Sequence, residues 1–227
     1  AIVDSPWNDD AKGNKWKINN KWKYPHMTPY DETIILDSDM IFTDSVDHWW
    51  DYLAKKDVWC CTNVKTFRNE DVTSDYYRKK FTQLNLPNIY SNFTYFKKSE
   101  LTFEFFKMVE LIMVHWNVYF DKFLSGVGQN WMSADVAYAL AIQLLDIEAE
   151  TCDYDIKDVP TFVHMKSMVQ NIPENQIESN WTKSITSELG DDLQVKIGNF
   201  TQTLPVHYVE KNWMDNSKIK QLEDAVL

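Results

Sequence analysis

Two aspartates stand at the end of a strand-like run in the first fifth of the chain. The stretch TIILDSDMIF (33–42) places Asp37 and Asp39 two positions apart. Side chains at i and i+2 of a strand point to one side, so we expect both carboxylates to face together, with Ser38 turned away. Two ionised carboxylates this close repel each other, and burying one without a partner is costly. The spacing therefore predicts a site for a hard divalent cation, Mg²⁺ or Mn²⁺, which takes carboxylate oxygens as ligands.

The strand that precedes Asp37 and Asp39 helps to decide whether the two residues form a metal site. A run as apolar as TIIL (33–36), followed by MIF, predicts a central strand, and ligands of open α/β sheets gather at the carboxyl ends of such strands. The alternative is structural: Asp39 caps the following segment, and Asp37 ends the strand at the surface. A bare Asp-x-Asp motif also occurs by chance in acidic chains, so both interpretations stay open on these residues alone.

Length and composition narrow the class of protein. The chain has 227 residues, of which 44% are hydrophobic and 15% aromatic, enough for one folded core. The net charge of -11 argues against a nucleic-acid partner, whose phosphates the chain would repel. No apolar run approaches the roughly 18 to 20 residues of a membrane span. The three cysteines, Cys60, Cys61 and Cys152, are no disulfide framework and predict a reducing, cytoplasmic location.

Strand-like and helix-like segments alternate along the chain. Strands are predicted at 33–36, 57–64, 88–99 and 159–165, with a hairpin at 193–209 that turns at Gly198-Asn199. Helices are predicted at 44–54, 101–124, 133–148 and at the C-terminal end. This alternation predicts one α/β domain over residues 1–227, with a mixed, mostly parallel sheet flanked by helices.

The stretch KWKINNKWK (15–23) alternates lysines with aromatic residues. One interpretation is an amphipathic helix with Trp16 and Trp22 turned inward and the lysines in solvent. The other is a basic lip, which includes Lys23 and helps to hold an anionic ligand.

Four stretches carry a resemblance to a known family, namely YDETIILDSDMIF (30–42), NIYSNFTYFKKSE (88–100), SADVAYALA (133–141) and LPVHYVEKNW (204–213). Taken in order, they resemble nucleotide-sugar glycosyltransferases of the GT-A fold, in particular the glycogenin and galactosyltransferase-like group. The first stretch resembles the apolar strand that ends in the DxD motif of that family, and the second resembles its following strand. The third resembles its helix near the acceptor, and the fourth its late block with a His and a Trp. The resemblance covers about residues 28–213.

The resemblance implies a transferase that moves a sugar from a nucleotide-diphosphate donor, a UDP-sugar, to an acceptor it does not identify. It implies Mn²⁺ or Mg²⁺ as cofactor, a GT-A-like fold and a phage-like origin. The metal ligands it implies are Asp37, Asp39 and His207. The other site residues it implies are Lys211 and Trp213 toward the phosphates, Asn92 toward the sugar and a catalytic Asp135 on the acceptor side. Lys23, from the basic lip, is a further candidate for binding an anionic substrate.

Two other functions stay open. Only 36 residues precede Asp37, so the base-binding βα units of the family are expected to be shortened or absent. A truncated, non-catalytic protein that binds metal or sugar is one alternative. The second is a phosphatase of the haloacid dehalogenase type, with Asp37 as covalent nucleophile and Asp39 as general acid and base. That family also needs a late acidic pair, for which Asp191 and Asp192 are the candidates.

Overall fold

The structure is a computed structural model of the chain. It describes residues 17–72, 78–127, 130–154, 159–165, 187–190, 193–208 and 214–226. The chain divides into two compact units, described separately below. The first unit comprises Ala1–Leu36, Trp49–Thr62 and Arg78–Val159, and the second comprises Asp37–His48, Asn63–Tyr77 and Pro160–Leu227. The single domain over residues 1–227 stays a prediction.

The described elements are helices and short strands. A 3₁₀ helix at Lys17–Lys23 precedes the α-helices, which are α1 (Tyr24–Met27), α2 (His48–Leu53), α3 (Lys79–Gln83), α4 (Glu100–Val114), α5 (Trp116–Tyr119), α6 (Ala134–Leu145), α7 (Glu148–Thr151) and α8 (Asn216–Val226). The strands are β1 (Glu32–Leu36), β2 (Met40–Ile41), β3 (Val58–Cys60), β4 (Phe93–Lys97), β5 (Val163–His164), β6 (Ser187–Leu189), β7 (Val195–Ile197), β8 (Phe200–Thr201) and β9 (Val206–His207). None of the described helices combines the length and apolar character needed to cross a membrane.

The first unit contains an antiparallel sheet in the order β1-β4-β3. Glu32 lies opposite Lys97 at one end of the β1–β4 ladder, and Leu36 lies opposite Phe93 at the other. The central strand, FTYFK, is buried over its first four residues. Aromatic and β-branched side chains favour such a packed, pleated surface, which explains why this segment forms the middle of the sheet.

Two helices of the first unit share one hydrophobic core with this sheet. Helix α4 begins after Ser99, whose side chain accepts a hydrogen bond from the Thr102 backbone N–H at 3.2 Å and so caps the helix. Helix α6 is apolar on nearly all sides, as expected for a helix surrounded by protein. It ends at Asp146, which has a left-handed backbone conformation with φ 56°.

The second unit contains two small sheets. In the order β2-β9-β5, strand β9 pairs antiparallel with β2 and parallel with β5. The other sheet, β6-β7-β8, is antiparallel. Its β7–β8 hairpin turns at Gly198, whose φ of 58° favours glycine, as the sequence predicts. The unit is therefore mixed in strand direction, with a small core of its own.

Three predicted features differ from what the structure describes. Strand β1, predicted to be central, has the outer position in its sheet among the described strands, and both of its ends are exposed. The single helix predicted at 101–124 is interrupted, because His115 has ψ 34° and ends α4. The lysines expected in solvent at 15–23 include Lys21 and Lys23, which are buried. The fold is mixed α/β with small antiparallel or mixed sheets, and a mostly parallel sheet stays a prediction.

Candidate metal centre

Asp37 and Asp39 lie in the turn between β1 and β2. Asp37 directly follows β1, and Asp39 directly precedes β2. Both residues are half-buried, whereas Ser38 between them is exposed. The alternation expected of these three residues is therefore present, but a turn produces it, not a continuing strand.

The third residue of the cluster reaches this turn through strand pairing. In the β2–β9 ladder, Met40 lies opposite His207. The ladder extends one residue further, because the Tyr208 backbone N–H donates to the Asp39 carbonyl oxygen at 3.1 Å. As a result, one ligand atom from each of Asp37, Asp39 and His207 lies within 4.8 Å of the other two.

The chemistry of these three side chains fits a divalent cation. His207 Nε2 lies 3.1 Å from Asp39 Oδ1, and the exposed fractions of the two side chains are 12% and 30%. Two carboxylates and one imidazole form a mixed oxygen and nitrogen donor set, which suits Mn²⁺ better than Mg²⁺, an ion that prefers oxygen ligands. Three protein ligands would leave coordination positions for water or phosphate oxygens. We therefore treat these residues as a candidate metal centre.

The electrostatics of the cluster are dominated by negative charge. The pKa of the nearby Tyr208 phenol is raised, first by burial and then by the Asp39 carboxylate. The Asp39 carboxylate thus adds to the effect of burial in disfavouring a phenolate at Tyr208. A cation beside Asp39 would be favoured by the same negative charge.

A second histidine packs against the cluster and was not predicted as part of it. His164 on β5 lies opposite His207 on β9, and their ring centroids are 5.3 Å apart. Phe162 meets both imidazoles edge-on, each at 6.2 Å between centroids. The sequence carries one signal for this pairing. Both strands read Val-His, and they align Val on Val and His on His.

Asp135, predicted to be catalytic, is an acceptor in a hydrogen-bond network of the first unit. It lies in the first turn of α6 and accepts from Arg78 Nη1 at 2.8 Å, from the Ser91 backbone N–H at 2.9 Å and from Ser91 Oγ at 2.6 Å. Burial alone would raise the pKa of Asp135, but the Arg78 guanidinium and the Ser91 hydrogen bonds outweigh burial and lower it to about 2. Asp135 is thus an anion with strong internal partners.

The partner cation, Arg78, is also missed by the sequence analysis. Its Nε donates to Asn88 Oδ1 at 2.6 Å, and its Nη2 donates to the Ile89 carbonyl oxygen. Its guanidinium also lies 3.9 Å from the centre of the Tyr90 ring. The planar guanidinium thus joins the segment before β4 to the start of α6, which is a structural role.

Of the remaining predicted site residues, the structure describes Asn92 and Lys23, and neither belongs to the metal cluster. Asn92 and Lys23 are both buried and belong to the first unit. Lys23 Nζ lies 5.3 Å from the centre of the Trp22 ring. Lys211 and Trp213 lie outside the described residues, as do Asp191 and Asp192. Their predicted roles stay predictions.

Comparison of the chain with known proteins returns no match among protein-family models, curated proteins or solved structures.

Proposed function

We propose that this chain is a metal-dependent glycosyltransferase that moves a sugar from a nucleotide-diphosphate donor, a UDP-sugar, to an acceptor. The observation that carries the proposal is the position of His207 beside Asp39, 168 residues earlier in the chain. The resemblance implies both residues, with Asp37, as ligands of one metal ion. An Asp-x-Asp motif present by chance has no physical reason to meet that particular histidine.

The fold that accompanies this proposal is GT-A-like, with a mixed and mostly parallel sheet. The arrangement within the second unit supports it in one respect. The parallel pair β5–β9 and the antiparallel pair β2–β9 together bring the end of β9 to the turn that carries the Asp-x-Asp motif. Residues at strand ends are where ligands of α/β sheets bind.

In this proposal Asp37, Asp39 and His207 hold Mn²⁺ or Mg²⁺. The bound ion supplies Lewis-acid stabilisation of the diphosphate leaving group. The protein's part is to present two ligands from the turn between β1 and β2 and one from β9, and to limit water around them, because charges interact more strongly in a half-buried site. Lys211 and Trp213 add a cation and an apolar ring on the phosphate side.

In the first unit, the proposal gives Asp135 a positioning role and no catalytic one. A carboxylate whose pKa is about 2 accepts a proton poorly near neutral pH, so we assign no proton transfer to Asp135. Its part in the proposal is to hold Ser91, and with it the adjoining Asn92, in place through two hydrogen bonds.

The test is binding and turnover by the full chain. Thermal unfolding is measured with Mn²⁺ alone and then with UDP and a panel of nucleotide sugars, and released UDP is assayed with acceptor sugars. A ligand at one hundred times its dissociation constant adds about 2.7 kcal/mol to the free energy of unfolding. We expect stabilisation by Mn²⁺ that increases with one UDP-sugar.

Other outcomes of these measurements would favour a different function. Stabilisation by Mn²⁺ without any nucleotide effect would favour a non-catalytic metal-binding protein. Hydrolysis of p-nitrophenyl phosphate that disappears in Asp37→Asn would favour the phosphatase. A chain that Mn²⁺ does not stabilise at all would overturn the proposal.

A further inference from the structure

Strand β1 has a neighbour on one side only among the described strands. The ladder that joins it to β4 continues one residue beyond the strand, where the Lys98 backbone N–H donates to the Asp31 carbonyl oxygen at 2.8 Å. Hydrogen-bonded pairs alternate with non-bonded pairs along an antiparallel ladder. Counting from Asp31, the residues of β1 that bond to β4 are therefore Thr33 and Ile35.

The alternate residues of β1 present their backbone groups to the other side. The N–H and C=O groups of Glu32, Ile34 and Leu36 point away from β4 and line the outer edge of the sheet. A row of such groups is a template for pairing with a further strand. Edges are usually protected by charged side chains, especially lysine, by proline, by a bulge or by a short length. The sequence ETIIL has one charged residue, Glu32, but no lysine or proline, and its register with β4 is unbroken over five residues.

A groove of about 500 Å³ follows this edge. All five residues of β1 line it, together with Tyr24, Tyr30 and Trp50. Because successive side chains point to opposite faces, a groove that touches five consecutive residues runs along the edge of the strand. Its apolar side chains are unusually exposed: 61% for Tyr30, 39% for Leu36 and 38% for Trp50.

One charged side chain in the groove is held in a fixed position. Glu32 Oε2 accepts a hydrogen bond from the Tyr95 hydroxyl at 2.7 Å. The Trp50 ring meets the Tyr95 ring edge-on, with 6.0 Å between centroids. Tyr95 therefore contacts both Glu32 and Trp50 and helps to fix their positions. Lys97 lies opposite Glu32 in the ladder but pairs with Asp57 Oδ1 at 3.0 Å. Within the described residues no cation is paired with Glu32. A positively charged group of a ligand would therefore complement the charge of the Glu32 carboxylate.

We propose that the β1 edge groove binds an extended segment of a partner protein, which adds a strand to the sheet. The segment would carry apolar side chains at alternate positions and a Lys or Arg beside Glu32. The row of outward backbone groups favours a polypeptide over an oligosaccharide, which would need only the aromatic rings. A second copy of this chain is disfavoured, because each copy carries a net charge of -11. The proposal does not depend on the metal centre.

The test uses the full chain and a fluorescein-labelled peptide, Lys-Val-Thr-Val-Thr-Val-Lys. A matched peptide is N-methylated at its three valines, which removes backbone donors and keeps every side chain. Fluorescence anisotropy is measured up to about 1 mM protein. We expect the first peptide to bind and the methylated peptide to bind at least about tenfold more weakly, as the loss of one or two hydrogen bonds implies.

Two variants locate the binding. Ile34→Pro removes an outward N–H and leaves the β1–β4 hydrogen bonds in place, so it should abolish peptide binding with little change in Tm. Thr33→Pro, the matched control, removes a bond to β4 and should lower Tm sharply. Trp50→Ala removes an exposed lining ring and should also weaken binding. Loss of peptide binding in both Ile34→Pro and Trp50→Ala, with the Tm of each close to that of the wild type, would support the proposal.

Four results would overturn the proposal. The first is equal binding of the two peptides, and the second is no binding at about 1 mM protein. The third is unchanged peptide affinity in Ile34→Pro. The fourth is a dimer in sedimentation without peptide that dissociates in Ile34→Pro, which would assign the edge to a second copy.

Discussion

His207 Nε2 lies 3.1 Å from Asp39 Oδ1, although 168 positions of sequence separate the two residues. The β2–β9 ladder accounts for this, because the Tyr208 N–H bonds directly to the Asp39 carbonyl oxygen. The register of two short strands therefore determines which side chains meet. A slip of one residue would turn His207 to the opposite face and disperse the cluster.

Removing one carboxylate from the cluster should remove metal binding and leave the fold intact. Asp39→Asn replaces an anionic ligand with a neutral amide, so we expect the affinity for Mn²⁺ to fall about 100-fold, as measured by isothermal titration calorimetry. Without Mn²⁺ the free energy of unfolding should change by less than about 1 kcal/mol, because Asp39 is partly exposed.

The matched control for that variant is Glu188→Gln. Glu188 is an exposed carboxylate on β6 of the same unit, and its neutralisation should leave the Mn²⁺ affinity unchanged. Equal losses in both variants would indicate general attraction to an acidic surface. An unchanged affinity in Asp39→Asn would rule out the cluster as the metal site.

The pair Asp135 and Arg78 should make part of the stability depend on acid pH. The pKa of Asp135 is about 2 in the folded chain and 3.8 without the fold. Because the folded pKa is the lower one, this contribution is complete above about pH 4 and is lost as pH falls toward 2. It amounts to about 2 kcal/mol. Urea unfolding at several pH values should show a shallower acid loss in Asp135→Asn than in the wild type, and equal slopes would contradict the assignment.

Arg78 should not be replaceable by lysine. Its guanidinium donates to Asn88, Ile89 and Asp135 in one plane, and an ammonium cannot reproduce that geometry. We expect Arg78→Lys to lower the free energy of unfolding by about 3 kcal/mol in urea titrations. Arg68→Lys is the control, since Arg68 is exposed, and should stay within about 0.5 kcal/mol of wild type. An equally small change in the free energy of unfolding in Arg78→Lys would argue against a stabilising role for the Arg78 hydrogen-bond network.

Local sequence patterns were sufficient to predict several elements of the fold. The run ETIIL forms β1, and Gly198 turns the β7–β8 hairpin. Both follow from short-range physics, namely side-chain preference for a pleated strand and the positive φ that glycine accepts. The two aspartates of the candidate site were equally visible, because they lie two positions apart. His207 joined them through the resemblance alone.

The features that sequence reasoning missed depend on long-range pairing. The outer position of β1 among the described strands is set by which strands lie beside it, and an apolar run is compatible with either a central or an outer position. Arg78 meets Asp135 across 57 residues, and no local periodicity indicates such a contact. His164 meets His207 because β5 and β9 align in parallel. The shared Val-His pair was the one available signal for that alignment.

The cysteines should be inert in the folded protein. Cys60, Cys61 and Cys152 are all buried. Burial raises the pKa of Cys60 well above its ordinary value and that of Cys152 to about 11, which lowers the thiolate fraction. In Ellman's assay at about pH 8 we expect the native chain to react at least about 100-fold more slowly than the chain unfolded in guanidinium, in which all three react. One rapidly reacting native thiol would contradict this burial.

Packing between the two histidine rings should position His207 for metal binding. His164→Ala removes the ring that lies 5.3 Å from His207, so His207 gains rotamer freedom, and we expect the Mn²⁺ affinity to fall about tenfold. His164→Phe keeps a ring of similar shape without its nitrogens and should retain most of the affinity. If His164→Phe loses as much affinity as His164→Ala, the imidazole nitrogen itself matters. His164 would then be a metal ligand or hydrogen-bond partner, and the ring-packing account would be wrong.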